Sequence, residues 1–144
     1  MPKKISVFKS RELETRYIAI YDAALHQWPV PYDEFYIPTR FGDTHVIASG
    51  SKDAAPLVLL QPTGAGAIIW CRNVGALSRR YRTYAIDTIS EVNKSILTRP
   101  IKSHHDFVGW IVDLFQGLKI ENTNMVGNSF GGFLTLNTAL YLPE

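Results

Sequence analysis

One cysteine, Cys71, is all that the chain contains, so it has no disulfide framework and no clustered thiol ligand set. Charge of one sign is also scarce. A net charge of +2 is too small for the electrostatic footprint of a nucleic-acid binder, and Ser78-Arg79-Arg80-Tyr81-Arg82 reads as a solvated helix end. No apolar run approaches the length needed to span a membrane. The opening MPKKISVFKSRE has charge but no apolar stretch behind it, so it is not a secretory signal. Internal repeats and low-complexity tracts are missing as well. A cytoplasmic protein with no nucleic-acid or membrane partner is the expectation.

What is present is the composition of an ordinary globular domain, 46% hydrophobic and 19% charged, near the usual averages. From Ser10 to Trp28, the residues Leu13, Tyr17, Ile20, Tyr21, Ala24 and Trp28 recur at helical spacing. Pro29 and Pro31 then end the segment. Its polar side is mixed in charge, with Glu12, Glu14 and Asp22, so it is expected to pack on the protein and not on a membrane. A hairpin is expected next, with EFYIPTR and THVIAS flanking a turn at Phe41-Gly42-Asp43.

PLVLL then reads as a strand buried on both faces. The loop QPTGAG follows, then a helix from about Ala67 to Arg80 and the strand YRTYAID. EVNKSILTRPIKS reads as a loop. A helix from His104 to Leu118 carries Phe107, Trp110, Ile111, Leu114 and Phe115 on one face. NTNMVG is a last strand, and FGGFLTLNTALYL a last helix before Pro143. Strands alternating with helices imply crossovers. The predicted fold class is α/β, a mostly parallel sheet with flanking helices and an antiparallel N-terminal hairpin.

Two places compete for chemistry. Gly64-Ala65-Gly66 follows a buried strand and precedes a helix, where backbone N–H groups could cradle a phosphate. Asp87 stands about 20 residues further on, as a ribose-binding acid would. The third small residue of that fingerprint is replaced by Ile69, whose bulk opposes close helix–strand packing, and no G-K-[ST] ending marks a nucleotide triphosphate loop.

The second place is Gly127-Asn128-Ser129-Phe130-Gly131. An apolar strand ends at Gly127 and an amphipathic helix begins after Ser129, the strand–turn–helix setting that puts a nucleophilic serine on a sharp turn. Side chains at 127 and 131 would collide with neighbouring backbone. The helix N-terminus brings positive dipole to an oxyanion formed at Ser129. An oxyanion hole in this architecture uses the N–H after the nucleophile, here Phe130, and one from the loop after the third strand, here QPTGAG.

The order of elements resembles the α/β-hydrolase family, above all its bacterial carboxylesterase-type members with an N-terminal helix. PLVLLQPTGAGAIIW, LSRRYRTYAID and MVGNSFGGFLTLNTALYLPE line up with the family's third strand and oxyanion loop, its fourth strand and its nucleophile elbow. The resemblance implies a serine hydrolase acting on small acyl esters, without cofactor or metal. It implies Ser129 as nucleophile, with Phe130 and Thr63 supplying oxyanion N–H groups. Gln61-Pro62 departs from the family's His-Gly, and Pro62 lacks an N–H and has a fixed φ. A serine at 129 excludes the aspartate nucleophile of the dehalogenase and epoxide-hydrolase branches.

The resemblance divides the chain into an N-terminal helical extension, residues 1–31, and the N-terminal half of a hydrolase domain, residues 32–144. In that fold the acid and the histidine follow the serine, yet no histidine follows Ser129. Glu144 reads as a surface carboxylate. His104 and His105 read as a solvated helix end, His45 as a hairpin residue, His26 as part of the first helix and Asp87 as a turn cap. The strand NTNMV is left as an open apolar edge, suited to homo-oligomers or to a partner. A non-catalytic module using that edge is therefore the alternative expectation.

Overall fold

A computed structural model describes residues 2–142 of the protein; Pro143 and Glu144, the latter expected at the surface, lie outside the described residues. Helix α1 spans Arg11–Leu25. Its start is set by Ser10, whose hydroxyl accepts the Leu13 N–H at 3.2 Å, the role Ser plays best at a helix N-terminus. The expected apolar stripe is corrected in part. Tyr21, Leu25 and, just beyond the helix, Trp28 are buried, whereas Leu13 and Ile20 are 48% and 62% exposed. Spacing alone cannot choose between adjacent stripes, and polar handles decide here. The Tyr21 hydroxyl donates to Asp87 and the Trp28 indole N–H to Ser49, so both aromatics bury their rings without stranding a donor.

The sheet is built from β1 (Tyr32–Thr39), β2 (Gly42–Ser49), β3 (Pro56–Leu60), β4 (Arg82–Ile86) and β6 (Asn124–Gly127), in spatial order β1-β2-β4-β3-β6. The short β5, Ile96–Leu97, pairs with β2 at Gly42 and Asp43, inside the segment expected to be a loop. β1 and β2 form the antiparallel hairpin, and β3 runs parallel to both neighbours, β4 and β6. The hairpin strands continue to Thr39 and restart at Gly42, so the connection is Arg40-Phe41 and not Phe41-Gly42-Asp43. Gly42 has φ +128, and a Cβ there would overlap the Ile96 carbonyl. The backbone of β5 therefore sets this corner.

Two layers of helix cover the sheet. α1, a 3₁₀ turn at Ala67–Trp70 and α2 (Cys71–Leu77) pack on the face carrying Ile47, Leu57, Leu59 and Ala85. α3 (His104–Leu118) and α4 (Phe130–Tyr141) pack on the face carrying Val46, Val58, Leu60 and Ile86. Alternate residues of β3 thus enter different cores. Val58, Leu59 and Leu60 are all fully buried, and burial of such side chains is worth about 1.5–3 kcal/mol each. Arg82, expected at a solvated helix end, instead opens β4, only 8% exposed. Its guanidinium donates to the Gly50 carbonyl and the Asp33 carboxylate.

A capping box at Ser103 and Asp106 starts α3, satisfying two donors that a helix leaves open. Further along α3, Asp113 accepts from the Arg40 backbone N–H, Nε and Nη2 at 2.7–2.9 Å. Those hydrogen bonds hold the Asp113 carboxyl below its ordinary pKa against a smaller opposing push from burial. The Arg40 side chain is 51% exposed, so screening limits the pair to roughly 0.5–1 kcal/mol despite its forked geometry. Because the folded-state pKa is depressed, this contribution is complete above the unfolded value of about 4 and is lost as pH falls through the folded one. Asp113→Asn is accordingly expected to lower the melting temperature by roughly 2–4 °C at pH 7. The gap from wild type should close in thermal scans taken progressively below pH 4.

Candidate active site

β6 ends at Gly127 and α4 begins at Phe130, leaving Asn128 and Ser129 to reverse the chain. The Asn128 N–H donates to the Leu60 carbonyl at 3.1 Å, and its own carbonyl accepts the Gly131 N–H at 2.9 Å. Between them Ser129 is held at φ 52 and ψ −114, a region that L-residues with a Cβ rarely occupy. Both flanking glycines are required by contact. A Cβ on Gly127 would overlap the backbone of Gly131 and Gly132, and a Cβ on Gly131 would overlap the Leu60 carbonyl. Ser129 is exposed and borders a groove of about 660 Å³ lined by apolar residues including Val126, Phe133 and Leu136.

Phe130, as the first helical residue, carries one of the N–H groups that a helix start leaves without an internal partner. Beside the elbow, β3 runs out into the loop Gln61–Gly66. Pro62 accepts from the Ala65 N–H at 3.3 Å, closing a turn that carries Thr63 and Gly64, both exposed. Gly64 has φ +75 with open space where a Cβ would stand, and its N–H donates to Glu91 Oε2 at 2.9 Å. Gly66 is small for a different reason: a Cβ there would overlap the Tyr21 ring and approach Asp87 Oδ1. The glycines of QPTGAG thus serve the loop's path between α1 and β4. Gln61 is fully buried, and among the described residues its side-chain amide has no hydrogen-bond partner.

Behind this loop lies a polar cluster that sequence reasoning did not assemble. Asp87, expected to cap a turn, is fully buried. Oδ1 accepts the Ala67 N–H at 2.6 Å and the Tyr21 hydroxyl at 3.2 Å; Oδ2 accepts the Lys94 N–H at 3.1 Å. His45 is buried too, with Nδ1 2.8 Å from Asp87 Oδ2 and Nε2 2.8 Å from Glu34 Oε1. Lys94 Nζ donates to Asp22 and Glu34. Burial pushes the Glu34 carboxyl up, but the hydrogen bonds from Lys94 and His45 outweigh it and hold the group below its ordinary pKa. Burial and the Asp87 charge both raise Tyr21, and they push Tyr17 up to about 12. The remaining histidines stay at the surface. His104 and His105 are exposed, with the Tyr141 hydroxyl 3.4 Å from His104 Nε2, and His26 closes α1.

The structure brings Ser129, Phe130 and the loop of Thr63 to the same edge of the sheet, where β3, β4 and β6 all end. Among the described residues no histidine is hydrogen-bonded to Ser129. Both ring nitrogens of His45 are engaged by Asp87 and Glu34.

Comparison with known proteins agrees with this architecture. The chain is 46% identical over 129 residues to an uncharacterized carboxylesterase, nap, of Bacillus subtilis, a match covering 90% of this chain and 43% of that protein. It is 40% identical over 137 residues to carboxylesterase YbfK of the same organism, covering 95% and 46%. The crystal structure of naproxen esterase (carboxylesterase NP) from Bacillus subtilis superposes with a TM-score of 0.89 at 45% identity, over 90% of this chain and 46% of that one. No protein-family model matches. The chain spans somewhat under half the length of the relatives it matches. Over that span it is carboxylesterase-like in sequence and has the open, mixed sheet of the α/β-hydrolase fold.

The contact at Gly131 yields a direct expectation. Gly131→Ala should lose at least about 3 kcal/mol in urea unfolding, because the obstacle is backbone on a central strand and cannot move aside. Gly132→Ala is the control. Its Cβ would stand 3.3 Å from the Gly127 oxygen, and the helix-propensity gain of about 1 kcal/mol offsets that crowding.

Proposed function

We propose that the protein contributes the nucleophile and the oxyanion hole of a serine carboxylesterase acting on small acyl esters, with Ser129 as the nucleophile. The observation that carries this reading is Ser129 itself, exposed at φ 52 and ψ −114 between two glycines that cannot bear a Cβ. Such a conformation is maintained at a cost and lifts the hydroxyl clear of the sheet edge. The carboxylesterase relatives support the reaction class.

In this reading the Ser129 Oγ attacks the ester carbonyl carbon as its proton passes to a general base. The C–O bond to the alcohol then breaks, the alcohol leaving with a proton returned by that base, and an acyl-Ser129 ester remains. Water attacks the acyl carbon in the same way and restores the hydroxyl. The oxygen that becomes negative in each half-reaction is met by the N–H groups of Phe130 and Thr63, aided by the α4 dipole. The acid and base come from outside these 144 residues, as the chain order serine, acid, histidine implies. The substrate is a small-molecule ester, and no cofactor takes part.

A second reading, a module that binds itself or a partner through the open edge, draws on β6. That strand has one neighbour in the described sheet, and Val126 on it is 41% exposed. Exposed Phe133, Leu136 and Leu140 continue the apolar surface along α4.

Intact-mass measurement after incubation with a fluorophosphonate separates the two. The 144-residue chain is expected to gain one adduct slowly, and Ser129→Ala none. Ester turnover should lie on the order of 10⁶ below that of a complete triad. An adduct that survives in Ser129→Ala, or fast turnover that does so, overturns the assignment. No adduct together with a concentration-dependent dimer in sedimentation favours the binding module.

A further inference from the structure

The buried polar cluster and α1 meet the oxyanion loop at one atom group, the Asp87 carboxylate. Four segments converge on it. The loop's exit donates through Ala67 N–H, α1 through the Tyr21 hydroxyl and the stretch after β4 through Lys94 N–H, while β2 faces it with the His45 ring. A fully buried carboxylate is costly unless its lone pairs are filled, and here each donor comes from a separate part of the chain. His45 is fixed in turn by Glu34 on β1, and Glu34 by Lys94, which also reaches Asp22 on α1. The rings of Tyr21 and Tyr36 close around the imidazole, with ring centroids 5.8 and 5.2 Å away.

We propose that this cluster positions the oxyanion loop, with Tyr21, His45 and Asp87 as positioning residues and α1 as a working part of the site. The proposal rests on the reading of Ser129 as an esterase nucleophile. Between the end of β3 at Leu60 and the 3₁₀ turn at Ala67, the loop's middle is exposed, and among the described residues side chains grip it at two backbone donors. Glu91 holds Gly64, and Asp87 holds Ala67. Tyr21 also presses on Gly66, where no Cβ fits. Releasing the Ala67 end frees the turn that carries Thr63, whose N–H must stay aimed at the developing oxyanion to be of use. Fixing such a donor in advance is what a supporting shell of hydrogen bonds provides.

The test uses Asp87→Asn and Tyr21→Phe in the ¹⁵N-labelled chain. Asn keeps one acceptor and adds a donor; Phe keeps the ring on Gly66 and removes only the hydroxyl. Amide hydrogen exchange at Ala67 is expected to speed by at least tenfold in Asp87→Asn and about threefold in Tyr21→Phe, with β3 amides unchanged. Without a base, the slow fluorophosphonate reaction of Ser129 depends on the oxyanion hole, so its rate should fall about tenfold in Asp87→Asn. Unchanged Ala67 exchange in both variants overturns the proposal. So does faster exchange spread evenly over β3, or an unaltered Ser129 labelling rate. If Asp87→Asn does not fold, Tyr21→Phe decides alone. A wild-type chain that takes no label counts against the nucleophile and leaves the clamp to be judged on exchange.

Discussion

The Leu60 carbonyl is the point on which the candidate site is seated. It accepts the Asn128 N–H and lies where a side chain on Gly131 would otherwise stand. Leu60 cannot yield, because β3 is hydrogen-bonded on both sides and its last residues are fully buried. The elbow therefore closes against a rigid rail, and α4 leaves it in a direction set by that contact. The loop that begins at Gln61 starts from the same residue. The proposed nucleophile and oxyanion donors are thus referenced to one strand end, which is how sub-ångström geometry can survive in a turn and a loop.

The parts of this arrangement that were legible in the sequence are those that signal locally. β3 announced itself as an apolar run bounded by Pro56 and a glycine-rich loop, and the elbow as a serine between glycines at a strand–helix junction. The polar cluster announced nothing. His45 lies on β2 and Asp87 just past the end of β4, and they meet only because the two strands pair antiparallel with Val46 opposite Ile86. A register slip of one residue between the two strands would put the two side chains on opposite faces. The stripe on α1 held only in part, for a related reason. Leu13 and Ile20 satisfy helical spacing as well as Leu25 does, and only the sheet below says which residues are covered.

Where the strands end, the pattern of the core changes character. The face that buries Leu57, Leu59, Ile47 and Ala85 passes, one step along, to Gln61, His45 and Asp87, all fully buried. Apolar residues would pack that space at lower electrostatic cost. A local departure of this kind from the binary pattern is expected where structure serves chemistry, and the loop that it borders is the one facing Ser129. α1 belongs to the same logic, since its one buried hydroxyl is spent on Asp87.

The backbone at Ser129 has a further consequence. At φ 52 glycine is at ease and serine is not, a difference of roughly 1–2 kcal/mol. The residue that best fits the turn is therefore one with no oxygen to offer. In the proposed role of Ser129, stability and reactivity pull the position in opposite directions, so selection for robustness alone would erode the hydroxyl from this turn.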